Sequence, residues 1–219
     1  MTESATPTIP TPSPTSGTPC WADLAVSDME RSQAFYATVL GWEFTPPSDE
    51  MGGYSNALAN GAPVAGLTPP QAEMEGPQVW DVYFATADIT ATDKAAVDAG
   101  AIAAVPPMEV GPFGSMACYV DPQGNRFNLW QAAEHHGFGA REVPGAPAWI
   151  DLATANYDAA REFYAAVFGW TYNDMPDSDE MRYTFFAAGD NEMDGGIGSE
   201  DPQGIYPNGW SIAWTVDDL

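Results

Sequence analysis

A chain of 219 residues that is 45% hydrophobic and 12% aromatic has a globular composition, and no apolar run in it is long enough to cross a bilayer. Six Lys and Arg against 31 Asp and Glu leave a formal net charge of -25, so nucleic-acid phosphates and anionic headgroups are repelled, and neither nucleic acid nor membrane is an expected partner. Cys20 and Cys118 allow at most one disulfide, and reduced thiols in a cytoplasmic protein are the expectation.

The first nineteen residues are rich in Thr, Pro and Ser and carry neither a basic start nor an apolar core, which reads as a disordered lead-in and not as a secretory signal. Trp21 to Val26 then alternates apolar and polar positions, the period of a half-buried strand. Ser27 offers an N-cap, with Glu30 three residues on, and Gly41 ends an amphipathic helix whose apolar pairs are Phe35/Val39 and Tyr36/Leu40. Tyr54 to Ala59 and Pro63 to Leu67 flank Asn60-Gly61, a dipeptide that tolerates positive φ at both positions and so predicts a two-residue hairpin. Another strand fits near Trp42 to Thr45.

The same grammar restarts with a strand at Val79 to Ala85, a helix capped by Asp88 and ended near Gly100, and a hairpin of Met116 to Val120 and Arg126 to Trp130 around Asp121-Pro122-Gln123-Gly124-Asn125. A Gly- and Pro-containing linker, residues 132–147, carries both histidines; His135 and His136 read as solvated loop residues. Trp21 to Trp42 then returns as Trp149 to Trp170 without a gap, a sign of duplicated folding units. The repeat has its own strand, a helix capped by Asn156, and hairpin strands at Tyr183 to Ala187 and Met193 to Ile197. Trp210 to Val216 matches Trp80 to Thr86, and Asp218 and Leu219 match Asp88 and Ile89. Counterparts of Thr90 to Gln131 do not follow. The expected organisation is a tail (1–19), a first two-unit domain (20–131), a linker (132–147) and a shortened second domain (148–219) that a second copy could complete, since its strands would otherwise expose an edge.

Successive β-α-β-β-β units, the segment Phe-Tyr-x-x-Val-[Leu/Phe]-Gly-Trp and the Asp-Pro-Gln-Gly-Asn turn resemble the vicinal oxygen chelate superfamily, which includes glyoxalase I, bleomycin-resistance proteins and extradiol dioxygenases, and most closely bacterial tandem glyoxalase-like proteins. The resemblance implies an α+β fold whose units pair into curled mixed sheets forming a cup. It also implies a small-molecule ligand, lyase, isomerase or oxygenase chemistry, and a divalent Zn, Ni, Fe or Mn ion bound by inward side chains of the opening and closing strands. Those positions fall here on Trp21, Asp81 and Asn128, and in the repeat on Trp149 and Ser211, with Asp194 the nearest acidic residue for a hairpin ligand. Only an aspartate in such a set is an ordinary ligand, because the indole nitrogen is a donor and Asn and Ser bind weakly. A metal-free cup is therefore the expectation.

Alternation supplies the cup lining independently. Phe127 and Leu129 face the helices, leaving Arg126, Asn128 and Trp130 opposite; Trp80, Val82 and Phe84 face the helices, leaving Asp81, Tyr83 and Ala85. With Trp21, Asp23 and Tyr119 added, the concavity is aromatic with a few polar groups, as small-molecule pockets are. Asp81 or Asp23 is the candidate base, and Arg126 or Tyr83 the electrophilic partner; Trp21, Asn128, Trp130, Tyr119 and Trp149 are candidate ligand contacts. Arg126 reads either as an anion or carbonyl clamp or as an ion-pair partner of Asp81 or Asp23. Transformation of a small oxygenated molecule and its sequestration without chemistry both follow from this lining.

Overall fold

The computed structural model describes residues 14–70, 79–176, 182–199 and 208–217. Unit one comprises β1 (Pro19–Ala25), α1 (Met29–Leu40), β2 (Glu43–Phe44), β3 (Ser55–Ala59) and β4 (Ala62–Thr68). Unit two comprises β5 (Trp80–Ala85), α2 (Ile89–Asp98), β6 (Ile102–Val110), β7 (Gly114–Val120) and β8 (Arg126–Ala132). Unit three comprises β9 (Pro147–Thr154), α3 (Tyr157–Phe168), β10 (Thr171–Asp174), β11 (Tyr183–Ala187) and β12 (Gly195–Ser199), and β13 (Gly209–Trp214) opens a fourth. The result is an α+β protein of two mixed sheets, ordered β2-β3-β4-β1-β5-β8-β7-β6 and β10-β11-β12-β9-β13.

Each unit closes a parallel pair between its first and last strands, β1 with β4, β5 with β8 and β9 with β12. Units one and two join where β1 runs antiparallel to β5, placing Asp23 directly opposite Asp81. In β6 the register slips between Val105 and Met108, across Pro106 and Pro107. Proline cannot donate to a ladder, so this segment is confined to the sheet edge, and its prolines hid it from the periodicity.

Local chemistry sets the boundaries. The α1 cap is Asp28, whose Oδ1 accepts from the Arg31 amide at 3.0 Å, one residue beyond the Ser27 expected. Asp88 caps α2 in the same way, through the Ala91 amide at 3.0 Å. Asn60 and Gly61 turn the β3–β4 hairpin at φ 49° and 79°. In the β7–β8 turn, Asp121 Oδ1 accepts from the amides of Gln123 and Asn125 at 2.9 and 2.8 Å.

The lead-in expected through residue 19 is in part built into the fold: the Gly17 amide donates to Ala85 O at 2.8 Å, and Trp170 Nε1 donates to Gly17 O at 3.0 Å. Residues 1–13 lie outside the described residues. The linker also packs on the first sheet, since the amides of Phe138 and Gly139 donate to the carbonyls of Cys20 and Pro63 at 2.8 and 2.7 Å. Backbone hydrogen bonds to strand residues are why this segment is not the free spacer its composition suggested.

The helix-side faces of the two sheets share one core. Val82, Phe84, Phe127 and Leu129 from the first half meet Ile150, Leu152, Tyr164 and Phe186 from the second. Tyr164 ties the halves together by donating to Asp121 Oδ2 at 2.9 Å while accepting from Trp210 Nε1 at 2.9 Å. Helices α2 and α3 pack against each other in this core. Consequently α3 buries Phe163 and Val167, which are 5% and 8% exposed, whereas their repeats Phe35 and Val39 on α1 are 57% and 51% exposed.

Candidate active site

On β1 the pleat sends Trp21 and Asp23 to the concave face, and the opposed β5 adds Asp81 and Tyr83. These four line a cavity of about 490 Å³. Tyr54, Met51 and Pro46 of unit one and Met116, Phe113 and Trp130 of unit two complete the lining.

Two polar clusters stand in this apolar wall. In the first, Asp23 Oδ1 accepts from Trp21 Nε1 at 2.9 Å and from Tyr54 OH at 2.5 Å. Burial raises the Asp23 pKa, against hydrogen bonds from Tyr54, Tyr83 and Trp21 that favour its charged form. In the second, Arg126 Nη2 donates to Asp81 Oδ2 at 2.7 Å, whereas Asp81 Oδ1 is buried without a hydrogen-bond partner. Burial drives the Asp81 carboxyl to about 6; Arg126 pulls it down, the facing Asp23 pushes it up, and Asn128 favours the charged form. Burial also holds the Tyr83 hydroxyl well above an ordinary phenol, reinforced by Asp23, Cys118, Tyr54 and Asp81, so it stays protonated.

Of the residues expected to line the cup, Trp21, Asp23, Asp81, Tyr83 and Trp130 come together there. Arg126 stands behind Asp81 as its ion-pair partner, outside the cavity lining, and so is not a clamp reaching into it. Asn128 is buried beneath the wall, its amide donating to Val82 O at 3.2 Å. Tyr119 is a correction. It pairs with Phe127 across the β7–β8 ladder, stacks on that ring at 5.2 Å and donates to Asp93 on α2 at 2.7 Å. Cross-strand partners share a face, so Tyr119 lies with Phe127 on the helix side, and Cys118 takes the cup side opposite Asn128. Trp149 lies in the other sheet, outside this cavity. There it repeats the first cluster, donating to Asp151 Oδ1 at 2.8 Å and to Tyr183 OH at 3.0 Å.

Sequence reasoning missed Tyr54 and His135. Tyr54 was legible as the partner of Tyr183, since each opens the hairpin following a repeated helix. His135, read as a solvated linker residue, instead lines the cavity with its ring edge-on to Trp21 at 4.4 Å. Its backbone is bonded into the wall: its amide donates to Phe113 O at 3.0 Å, and its carbonyl accepts from Trp130 Nε1 at 2.7 Å. Burial, assisted by His136, lowers its pKa to about 4 and keeps the imidazole neutral near pH 7.

A profile described as Bleomycin resistance protein-like N-terminal matches residues 20–55. A Mycobacterium bovis protein named glyoxylase CFP32 is 35% identical over 206 residues, covering 92% of this chain and 78% of its own. The chain belongs to the vicinal oxygen chelate superfamily. A second relative, anthracycline biosynthesis protein DnrV of Streptomyces peucetius, is 36% identical over 167 residues, 70% of this chain and 61% of that one. Among solved structures, the Mn(II)-bound glyoxalase of Novosphingobium aromaticivorans aligns with a TM-score of 0.61 at 20% identity, over 85% of this chain and 62% of that one. The 2,2',3-trihydroxybiphenyl 1,2-dioxygenase of Sphingomonas wittichii aligns with a TM-score of 0.63 at 11% identity, over 88% and 70%. These two likenesses concern the fold.

The superfamily's metal positions carry a different chemistry here. Trp21 Nε1 is a donor already spent on Asp23 and Tyr54, Asn128 donates to a backbone carbonyl, and Asp81 is held by Arg126. In the other sheet, Trp149 is engaged like Trp21, Ser211 is exposed, and Asp194 accepts from the amides of Ala188 and Asn191. Among the described residues, no three His, Cys, Asp or Glu side chains converge as a metal site would require. This donor set does not fit a vicinal-oxygen-chelate metal.

Proposed function

We propose that the protein binds a small oxygenated organic molecule in the cavity of its first half and moves a proton on it without a resident metal. The observation that carries this reading is the division of labour on Asp81: Arg126 holds one carboxylate oxygen, and the other is buried without a partner in a cavity-lining residue. Such a group acts as a general base, with a pKa near the working range, once the ligand displaces the wall atoms that cover this oxygen. Asp81 accepts a proton from carbon next to a carbonyl. Tyr83, whose hydroxyl favours the charged form of Asp23, turns to the developing enolate oxygen. Return of the proton from Asp81 to the same carbon is exchange, and its delivery to the far carbon of a conjugated dienolate is an isomerisation in which no atom is gained or lost. Arg126 acts through Asp81 and is a positioning residue.

Proton-deuteron exchange followed by NMR on a panel of aryl ketones and hydroxyketones in deuterated buffer tests this. Exchange catalysed by the wild type and lost in Asp81→Asn supports it. Tight binding with no exchange in either protein would favour sequestration instead, a reading that the bleomycin-resistance-like match and the aromatic walls support. A near-stoichiometric Zn, Ni, Fe or Mn content in protein purified without chelator would overturn the metal-free part. The name of the Streptomyces relative makes polycyclic aromatic ketones a sensible part of the panel.

A further inference from the structure

The charges around the cavity are one-sided. Asp23 and Asp81 face each other at its base, and Glu134, exposed, stands among the lining residues at its mouth. Among the described residues, Arg126 is the cation that an ion pair ties to this set, and it binds Asp81 from behind the wall. The aromatic donors are committed as well: Trp21 Nε1 and Tyr54 OH to Asp23, and Trp130 Nε1 to the His135 carbonyl. Among the charged groups, what the wall leaves unmatched is an acceptor. Asp81, whose side chain is 6% exposed, keeps an unpartnered oxygen. A carboxylate or phosphate entering here meets the like charge of Asp23, Asp81 and Glu134, and burying it against them is costly. A cation meets aromatic faces and carboxylates, both of which attract it.

We infer that the cavity selects an aromatic molecule bearing a protonated amine, with the ammonium at the Glu134 mouth between the Trp21 and Trp130 sides and the reacting end at Asp81, and that it rejects aromatic acids. This rests on the reading of the cavity as the ligand site, and it narrows the substrate class. The net charge of -25 adds a long-range field of the same sign.

Three probes with one ring system separate charge from shape: 2-naphthylmethylamine, 2-naphthalenemethanol and 2-naphthoic acid, titrated by calorimetry at pH 7.5 in low and high salt. The expected order is the amine about tenfold tighter than the alcohol, with the acid weakest, and an amine advantage that shrinks in high salt. Glu134 is exposed, so its variants leave the core untouched. Glu134→Gln reduces the amine advantage while the alcohol is unchanged, and Glu134→Lys brings the acid to or above the amine. An acid that binds wild type as tightly as the amine, an amine no better than the alcohol, an absence of binding by all three, or Glu134 variants that leave the order untouched would each overturn the inference. The ranking is read from binding alone, so loss of proton exchange with the ranking intact would sink the proposed chemistry and leave this selectivity standing.

Discussion

Gly66 stands opposite Asp23 in the parallel β1–β4 ladder, and a Cβ on it would overlap both the Tyr54 hydroxyl and Asp23 Oδ1. Gly196 stands opposite Asp151 in β9–β12 and would overlap Tyr183 and Asp151 in the same way. The Trp-Asp-Tyr cluster thus exists in each half because the neighbouring strand surrenders a side chain to make room. Gly66→Ala should expel the Tyr54 ring, cost about 1–3 kcal/mol by urea denaturation and abolish ligand binding. Gly196→Ala should destabilise by a similar amount and leave that binding intact. Equal loss of binding in both variants would contradict the assignment of the site to the first half.

Phe35 and Phe163 occupy the same place in the repeated helix yet have opposite surroundings. Phe163 lies edge-on to Phe127 at 5.7 Å within the shared core, so Phe163→Ala should cost about 3–5 kcal/mol. Phe35→Ala should change stability by no more than about 0.5 kcal/mol. Chemical denaturation of the two variants checks the difference, and similar losses would mean that α1 is covered in solution.

The Asp81 carboxyl, raised to about 6, couples both function and stability to pH. Its surroundings are Asp23 on β1, Arg126 and Asn128 on β8, and Tyr83 and Cys118 on the same face. As a base it must be ionised, so proton exchange should rise with pH through an apparent pKa near 6, and this limb should vanish in Asp81→Asn. The stability sign is opposite. A carboxyl whose folded-state pKa is raised favours the protonated fold, so its contribution is complete below its unfolded pKa of about 4 and is lost as pH rises through about 6. Asp81→Asn should therefore gain stability relative to wild type between pH 4 and 7, measured by denaturation across that range.

His135, lowered to about 4, has the depressed-pKa sign for a base: its neutral form is favoured by the fold, and that contribution is lost as pH falls from about 6.5 through 4. Its ring contacts Trp21 and Trp130 at 4.4 and 5.5 Å, so protonation should quench tryptophan fluorescence with a midpoint near 4. His135→Gln should remove that step. A midpoint near 6.5 would place the imidazole in solvent.

Cys20 and Cys118 are free and buried, and burial pushes the Cys118 thiol up to about 12 and Cys20 higher still. Both should react with a disulfide reagent at pH 8 only after denaturant is added. Rapid labelling of the native protein would show that the cavity wall opens.

Much of this was legible along the chain because it depends on near neighbours. Period-two alternation sorted Asp81, Tyr83 and Trp130 onto the concave face, Asn60-Gly61 announced its hairpin, and the gapless return of Trp21–Trp42 as Trp149–Trp170 announced the duplication. The family resemblance followed from these features. Tyr119 went astray although its register was available, because pairing across the Asp121 turn puts it opposite Phe127.

What only the tertiary structure decided is what each face meets. Identical Phe-Tyr-x-x-Val segments become a buried helix and an exposed one because α2 lies against α3, whereas Phe35 and Val39 on α1 stay exposed. His135 becomes part of the site because the linker folds back and bonds to Cys20 and Phe113, contacts distant in sequence that no local pattern records. Likewise the pairing of Arg126 with Asp81 leaves the carboxylates in excess around the cavity. Periodicity tells which way a side chain points; burial, partnership and charge balance depend on the element that arrives opposite it.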